Sequence, residues 1–402
     1  MRRTSASIAT LGVVAALSLT ACGSNNSSTP TAGGSSGGTG GITAACSLDN
    51  PPQSQAKLPA AGGGGAQVSG KVGVILPDTT SSTRYTLYDA PLLKKALTAA
   101  GITPDIQNAQ GDKSRFASIA QGMIQEGVKV LIIDSIDAAS GQGVEKAADA
   151  AGVKVIDYDR VNLGGTAPYY VSFDNEDVGK LQAQTMLDCL AANNVTNPKI
   201  IMMDGGTDVD NNAVLFAKGA HEVLDPLKDA GKLTIEEEAT VKGWLVANAA
   251  PAFSQALTAS SNQVDGVLAA NDQIAGAVIG VLKQQGLNGH VVVTGQDSST
   301  EGLQNIVNGQ QSMTIFKNVK LEANAAAQLA ISLMSGKSPA DAGITLTKFD
   351  DPSSPSHALQ ALLLPAQVIT QANIQDVVKA GALTVAEICK GITDACANIG
   401  LQ

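Results

Sequence analysis

The chain has 402 residues, with 36 acidic against 26 basic side chains and a formal net charge of −10. Nucleic acids and anionic lipid surfaces repel such a chain, so it is a poor candidate for binding either one. No apolar stretch of the sequence after Cys22 is long enough to cross a bilayer.

The first 21 residues have the pattern of an export signal. Arg2 and Arg3 precede an apolar run over 8–19, which ends in Leu-Thr-Ala before Cys22. This ending resembles a bacterial lipobox, in which the thiol is acylated. We therefore expect 1–21 to be a lipoprotein signal peptide and Cys22 to anchor an extracytoplasmic protein to the cell membrane. An ordinary secretory signal with a chance cysteine is the alternative. Paired arginines also occur in twin-arginine signals, but the rest of that motif is missing.

Residues 22–68 are mostly Ser, Gly, Thr, Asn, Pro and Ala, with an unbroken glycine run over 62–65. Such a segment buries too little apolar surface to offset the entropy lost on ordering. The composition predicts a flexible tether between the lipid and a folded body.

Four cysteines follow the acylation site: Cys46, Cys189, Cys389 and Cys396. An even number of thiols in an oxidising compartment is compatible with disulfides. Cys389 and Cys396 enclose a short segment that contains Gly391, and we predict a disulfide between them. Four cysteines allow three pairings, so Cys46 or Cys189 could be a partner instead.

From residue 71 onward, short β-branched runs alternate with amphipathic stretches of helical length. Strands are predicted at 71–76, 130–134, 153–158, 169–173, 199–203, 266–269, 291–294 and 312–316. Helices are predicted at 87–100, 115–127, 178–192, 213–230, 247–260, 274–285 and 320–335. Repeated strand–helix units predict an α/β fold with doubly wound parallel sheets covered by helices on both faces. The residues beyond the tether are sufficient for two domains of ordinary size.

Polar side chains follow the predicted strands at their carboxyl ends, where ligands bind on open α/β sheets. They are Asp78, Asp134, Asp159-Arg160, Asp204, Asn271-Asp272, Gln296-Asp297 and Lys317. Carboxylates accept hydrogen bonds from vicinal hydroxyls, and Arg, Lys and Asn donate to hydroxyl and ring oxygens. This mixture suits a neutral polyol.

Signatures of catalysis are weak or absent in the sequence. The three histidines have no metal-ligand spacing, and no nucleophile elbow or phosphate loop follows the first strand. The glycine pairs at 164–165 and 205–206 are typical of turns. Many carboxylates invite a glycosidase interpretation, but nothing singles out a catalytic pair. We expect no enzymatic activity, no cofactor and no metal.

Tyr158-Asp159-Arg160 and the segment 169–176 resemble the periplasmic xylose-binding and multiple-sugar-binding receptors, which are type I periplasmic binding proteins. The likeness runs from about residue 71 to about residue 381. It includes Asp210-Asn211-Asn212-Ala213, Gly243-Trp244-Leu245, Ala270-Asn271-Asp272, Gly295-Gln296-Asp297 and Thr314-Ile315-Phe316-Lys317.

The resemblance implies two similar α/β lobes joined by a three-segment hinge, with a monosaccharide, xylose or a similar aldose, enclosed between them. We expect 69–173 and 318–358 in the first lobe, and 176–315 and 360–402 in the second. Partners would be an ABC permease and its cytoplasmic ATPase, and the protein would be a monomer. A signalling receptor that presents its closed form to a chemotaxis or sensor-kinase partner is the alternative. A repressor of the same architecture is excluded by the signal segment and by the lack of a helix-turn-helix.

The resemblance also implies a set of sugar-binding residues. They are Arg84, Tyr85, Asp159, Arg160, Asn212, Trp244, Asn248, Asp272 and Lys317. Each has a structural alternative: a surface ion pair for Asp159 and Arg160, a helix cap for Asn248, a solvated hinge residue for Lys317 and core packing for Trp244. Asn211 is a less favoured candidate than Asn212. Two features depart from the family pattern: the Ser/Thr-rich loop 78–83, which leaves the sugar open, and the additional tail 383–402.

Overall fold

The computed structural model describes residues 42–57, 68–357 and 359–402. The expected signal peptide 1–21, the expected acylation site Cys22 and the two glycine-rich parts of the expected tether lie outside these residues. Within the described ranges, no helix is both long and apolar enough to cross a membrane.

The described part of the chain contains thirteen strands and twelve α-helices. The strands are β1 (Lys71–Leu76), β2 (Thr103–Asn108), β3 (Val130–Ile133), β4 (Lys154–Tyr158), β5 (Tyr169–Phe173), β6 (Lys199–Asp204), β7 (Thr234–Thr240), β8 (Gly266–Ala269), β9 (Val292–Val293), β10 (Thr314–Phe316), β11 (Thr347–Lys348), β12 (Gln360–Leu364) and β13 (Gln367–Ile369). The helices are α1 (Ala90–Ala99), α2 (Lys113–Gln125), α3 (Ala138–Ala150), α4 (Asn175–Ala192), α5 (Asn211–Asp229), α6 (Val246–Ala259), α7 (Asp272–Gln284), α8 (Thr300–Val307), α9 (Val319–Met334), α10 (Gln375–Lys379), α11 (Val385–Ile388) and α12 (Thr393–Asn398).

Two separate parallel sheets form the body. The first has the order β11-β12-β5-β4-β3-β1-β2, and every pair in it is parallel except β11 with β12. The second has the order β7-β6-β8-β9 and is parallel throughout. An antiparallel pair, β10 with β13, adjoins the second sheet through a parallel bridge between Gln296 and Ile315. This arrangement confirms the predicted α/β fold.

The chain passes between the two sheets three times. It leaves the first sheet after β5, returns to it between β10 and α9, and leaves again between β12 and β13. The expected boundary at 358–360 is therefore wrong, because β12 pairs along its whole length with β5 of the first sheet. We define the first lobe as 68–173 and 318–364, and the second lobe as the described remainder.

Short polar residues cap four helices of the second lobe. Asp174 caps α4, Asp210 caps α5, Asn271 caps α7 and Ser299 caps α8, each by accepting a backbone N–H in the first turn. Such caps satisfy donors that the helix itself leaves free. Some of the polar residues that follow the strands are therefore present because they cap helices, and not because they bind a ligand.

The segment 42–57 is ordered on the second lobe, so the expectation of a flexible tether over 22–68 is wrong there. A disulfide joins Cys46 to Cys189 of α4, with 5.7 Å between the Cα atoms. Closer to the hinge, Ser54 Oγ donates to Asp177 Oδ2 over 2.6 Å, and Gln53 forms a bridge with Gln367. Ile42, Cys46 and Leu48 also pack against apolar side chains of the second lobe. These few contacts are not evident in the sequence because low-complexity composition surrounds them.

The C-terminal tail packs against α8. Its disulfide links Cys389 to Cys396, with 5.9 Å between the Cα atoms, as the sequence predicts. Gln304 Nε2 of α8 donates to the backbone carbonyls of Ile388 and Lys390 at 3.0 and 3.1 Å. The disulfide therefore closes a loop whose start is held to the second lobe.

Candidate functional site

A buried cavity lies between the lobes, at the carboxyl ends of the strands. Its walls are formed by Ser81, Ser82, Arg84, Tyr85, Asp159, Arg160, Asp210, Asn212, Phe216, Trp244, Asn271, Gln296, Asp297 and Lys317. Seven of the nine residues expected at the sugar site are in this set: Arg84, Tyr85, Asp159, Arg160, Asn212, Trp244 and Lys317. Asn248 and Asp272 are not.

Arg84 is fixed by three carboxylates of the first lobe. Nε and Nη2 donate to Asp89 at 2.9 and 2.8 Å, Nη2 also donates to Glu322, and Nη1 donates to Asp159 at 2.8 Å. A guanidinium has five N–H donors, so four such bonds leave one N–H free. Burial would lower the pKa of Arg84, but the three carboxylates outweigh it and raise the pKa above its usual range. Arg84 is a rigid cation with a single donor to offer.

Arg160 has more free donors. Nη1 donates to the carbonyl of Ser135 at 3.2 Å and Nη2 to Ser81 Oγ at 3.3 Å, which leaves three of five N–H groups without a partner among the described residues. Nε lies 3.8 Å from Asp134 in its own lobe and 3.4 Å from Asp210 in the other. Arg160 can therefore donate to a ligand from a position between two carboxylates.

Asp159 lies at a point of backbone strain, with a φ of 58°. Its carboxylate accepts from Arg84 and, over 3.3 Å, from Tyr85 Oη. Burial would raise the pKa of Asp159, but the positive charges of Arg84 and Lys317 outweigh it and hold that pKa below its usual value. Positive φ at a non-glycine residue is costly and is concentrated at functional sites.

The second lobe supplies an aromatic wall. Trp244 is 5% exposed, and its ring meets that of Phe216 edge to face at 6.4 Å between centroids. The indole Nε1 donates to Asp210 Oδ2 over 3.0 Å. A side chain on Gly205 or Gly206 would clash with the indole, so the glycine pair makes room for the tryptophan.

Lys317 and Asp297 form an ion pair at the boundary between the lobes. Lys317 Nζ lies 3.2 Å from Asp297 Oδ1 and 4.0 Å from Asp159 Oδ1, and 5.7 Å from the Phe216 ring centroid. Asp297 Oδ2 accepts from Ser82 Oγ of the first lobe over 2.9 Å. Asn271 Nδ2 donates to the Ser81 carbonyl across the same boundary, over 3.3 Å. The lobes are thus in contact beside the cavity.

Asp272 is buried and does not line the cavity, although the sequence predicts a sugar contact from it. Its carboxylate accepts from the backbone N–H of Ser299 at 2.7 Å and from Gln311 Nε2 at 2.9 Å. Gly295 and Gly302 pack so closely on it that a Cβ at either position would clash. Burial raises its pKa to about 7. The preceding residue, Asn271, faces the cavity instead.

Asn248 is exposed, and its Nδ2 donates to the carbonyl of Lys242 over 3.2 Å. It therefore lies in the first turn of α6 and ties that turn to the segment before Trp244. The sequence predicts a sugar contact from Asn248, but the structure does not place this residue in the cavity wall.

Seven cavity residues were not among the expected ligands: Ser81, Ser82, Asp210, Phe216, Asn271, Gln296 and Asp297. Asn271, Gln296 and Asp297 follow strands, and their position there was a usable signal. Phe216 follows Asn212 by one turn of α5 and had no signal of its own. The cavity wall thus carries three cations, from Arg84, Arg160 and Lys317, against three carboxylates, from Asp159, Asp210 and Asp297.

The fold and the cavity between the lobes define a two-lobed α/β binding protein. The periplasmic binding protein domain family matches residues 72–338, and the chain belongs to this family. Over 291 residues it is 38% identical to the D-xylose-binding periplasmic protein of Escherichia coli strain K12, covering 72% of this chain and 84% of that protein. Over 283 residues it is 35% identical to the multiple sugar-binding periplasmic receptor ChvE of Rhizobium radiobacter, covering 67% and 79%.

A solved structure has the same architecture. The carbohydrate transporter solute binding protein from Chloroflexus aurantiacus, in complex with D-glucose, superposes with a TM-score of 0.72 at 27% identity. The match covers 79% of this chain and 98% of that one. These relatives are binding proteins and not enzymes.

Proposed function

We propose that this chain is the extracytoplasmic receptor of an ABC-type importer and binds a monosaccharide, D-xylose or a similar aldose, between its lobes. The observation that carries this proposal is the charge-balanced cavity wall, which mixes three cations with three carboxylates beside three amide side chains. The family and the names of the relatives support the same class of ligand.

A neutral sugar suits this wall better than an ion does. Arg160 retains three N–H groups without a partner among the described residues, and Gln296 Oε1 is a buried acceptor that likewise has no hydrogen-bond partner among them. Each sugar hydroxyl can donate once and accept, so it can join such donors to such acceptors. An ionic ligand would leave one sign of charge uncompensated, which is costly in a buried site.

Binding would favour the closed form because ligands come from both lobes. Arg84, Tyr85, Asp159 and Arg160 belong to the first lobe, and Asn212, Trp244, Asn271 and Asp297 to the second. A sugar that touches both sets binds the closed form more tightly than the open one and shifts the population towards it. The closed form is then the one that a permease would accept.

We further propose that acylated Cys22 holds the protein at the membrane. The Leu-Thr-Ala-Cys sequence supports this assignment. Mass spectrometry of the mature N-terminus tests it: a diacylglyceryl group on Cys22 is expected in the native protein, and release of the Cys22→Ser variant into the medium. A mature chain that starts elsewhere would contradict the anchor.

Titration calorimetry with D-xylose, L-arabinose, D-glucose and D-galactose tests the ligand. We expect one-to-one binding of at least one aldose, with D-xylose among the tightest. Tight binding of none of these sugars, or equally tight binding of a charged solute such as glutamate, would contradict the proposal.

A further inference from the structure

A second cavity, of about 420 Å³, also lies between the lobes and shares Asp297 and Lys317 with the sugar cavity. The first lobe lines it with α1 and the start of α9. The second lobe lines it with the turn at 297–300 and with the tail at 380–387. Apart from these two shared residues, the residues that line it are not among the proposed sugar contacts.

The amino end of α9 forms part of the wall, through Asn318, Val319 and Lys320. Asn318 is the N-cap residue but makes no side-chain capping bond. The acidic residue of the first turn, Glu322, binds Arg84 instead. A sixteen-residue helix thus presents free N–H groups and the positive end of its dipole, which together favour an anion.

An independent observation also points to a ligand. Ser298 lines this cavity and is 2% exposed, and its hydroxyl has no hydrogen-bond partner in the described parts of the chain. Tyr88 lines it too, with its Oη likewise unpartnered among those residues. A buried hydroxyl without a partner is costly. Both hydroxyls can donate to an oxygen anion.

The charge of the wall is positive on balance. Lys95 and Lys320 line the cavity, while the charge of Asp297 is opposed by Lys317 at 3.2 Å. The carboxylate of Glu387 is engaged by the backbone N–H and hydroxyl of Thr384, each at 2.7 Å. The opposite side is apolar, with Leu92 and Leu383 among its residues.

We propose that this cavity binds a small organic anion. The carboxylate or phosphate would lie at the amino end of α9, within reach of Ser298 and Lys320, and the apolar part would pack against Leu92 and Leu383. Because both lobes line the cavity, the anion would also favour the closed arrangement. On the proposed function, it would therefore raise the affinity for sugar, and the sugar would raise the affinity for the anion by the same factor.

Benzoate is the probe, since it joins one carboxylate to an apolar ring, and benzyl alcohol is its neutral counterpart. Calorimetry and ligand-observed NMR on the sugar-free protein should show saturable benzoate binding and much weaker binding of benzyl alcohol. Inorganic phosphate, which lacks the apolar part, should bind more weakly than benzoate. Ser298→Ala should weaken benzoate binding about fivefold, and Lys320→Gln about threefold. Lys129→Gln, at an exposed lysine beside the amino end of β3, is the control and should have no effect.

No saturable benzoate binding, equal binding of benzyl alcohol, or an effect of Lys129→Gln as large as that of Lys320→Gln would overturn the inference. These titrations contain no sugar, so their failure leaves the proposed function standing. In a second set, saturating benzoate should tighten sugar binding at least twofold in the native protein and not in Ser298→Ala. Unchanged sugar affinity in the presence of bound benzoate would refute the coupling between the cavities.

Discussion

The side-chain amide of Asn212 in the second lobe donates to the backbone carbonyl of Asp159 in the first lobe, 2.8 Å away. The same carbonyl accepts from the hydroxyls of Tyr170 and Ser172, at 2.9 and 2.8 Å. Because the carbonyl of Asp159 is held in this way, its carboxylate remains directed to Arg84 and the cavity. Asp159 therefore takes part both in the contact between the lobes, through its carbonyl, and in the cavity wall, through its carboxylate.

Asn212→Ala should weaken sugar binding about fivefold, since it removes a hydrogen bond that exists only when the lobes meet. Asn211→Ala is the matched control, because Asn211 is the adjacent amide on α5 and does not line the cavity. Calorimetric titration of both variants is the measurement. Weaker sugar binding by Asn211→Ala, with unchanged binding by Asn212→Ala, would contradict the role given to Asn212.

Trp244, the single tryptophan of the chain, should report sugar binding by a saturable change in fluorescence. It lines the cavity and bonds Asp210, so both the ligand and lobe opening alter its surroundings. A sugar that does not bind should give no change. A signal that persists in Trp244→Phe would come from tyrosines and would contradict this role.

Asp272 should make stability depend on pH in a predictable direction. Burial raises its folded pKa to about 7, above the usual value near 3.9, so the folded state binds an additional proton between these values. Its contribution to stability is complete below about pH 4 and is lost as pH rises to about 7. The melting temperature of the native protein, relative to that of Asp272→Asn, should therefore fall over this range and level off above it. A difference that is independent of pH would show that Asp272 does not titrate there.

Substitutions at Asp272 and Asn248 distinguish a loss of folding stability from a loss of sugar affinity. Asp272→Ala removes a buried acceptor from the Ser299 N–H and should lower the unfolding free energy by about 1–3 kcal/mol. Asn248→Ala, at an exposed side chain, should change neither the melting temperature nor sugar affinity. Tenfold weaker binding in Asn248→Ala would restore the expectation that this residue contacts sugar.

Removal of the two disulfides should lower the stability of the protein by different amounts. Cys46–Cys189 spans 143 positions and Cys389–Cys396 only 7, and closing a longer loop removes more entropy from the unfolded chain. Replacing Cys46 and Cys189 by serine should therefore lower the melting temperature more than replacing Cys389 and Cys396. The opposite order would indicate that the segment 42–57 contributes little to stability. Peptide mapping without reduction checks both pairings.

The sequence predicts most of the buried strands, because each of them is a short apolar run, but it misses β12, an interior strand of the first sheet. The bounds of β1, β5 and β8 agree with the prediction. Two strands without a prediction, β2 and β7, lie at the edges of their sheets. Their residues, Thr-Pro-Asp-Ile-Gln-Asn and Thr-Ile-Glu-Glu-Glu-Ala-Thr, are polar. Charge and proline are common on edge strands, where one side faces solvent.

The site was predictable where one residue both follows a strand and reaches the cavity. Asp159 and Arg160 satisfy both conditions, as does Lys317. In the pair Asn271-Asp272 only the tertiary structure decides which residue faces inward, because a change of one position at the start of a helix turns the side chain to another face. The sequence favoured Asp272, but Asn271 lines the cavity.

Calorimetric titration of the cognate aldose into native protein, Asp159→Ala and Asp350→Ala tests most directly whether the cavity between the lobes is the sugar site. Asp350 has an 87% exposed side chain paired with Lys348, which makes it the matched control. Asp159→Ala should weaken binding at least about tenfold, because it strands a hydroxyl and releases Arg84, and its melting transition should remain cooperative. Asp350→Ala should bind as the native protein does. Unchanged affinity in a folded Asp159→Ala variant would contradict the assignment of this cavity as the sugar site.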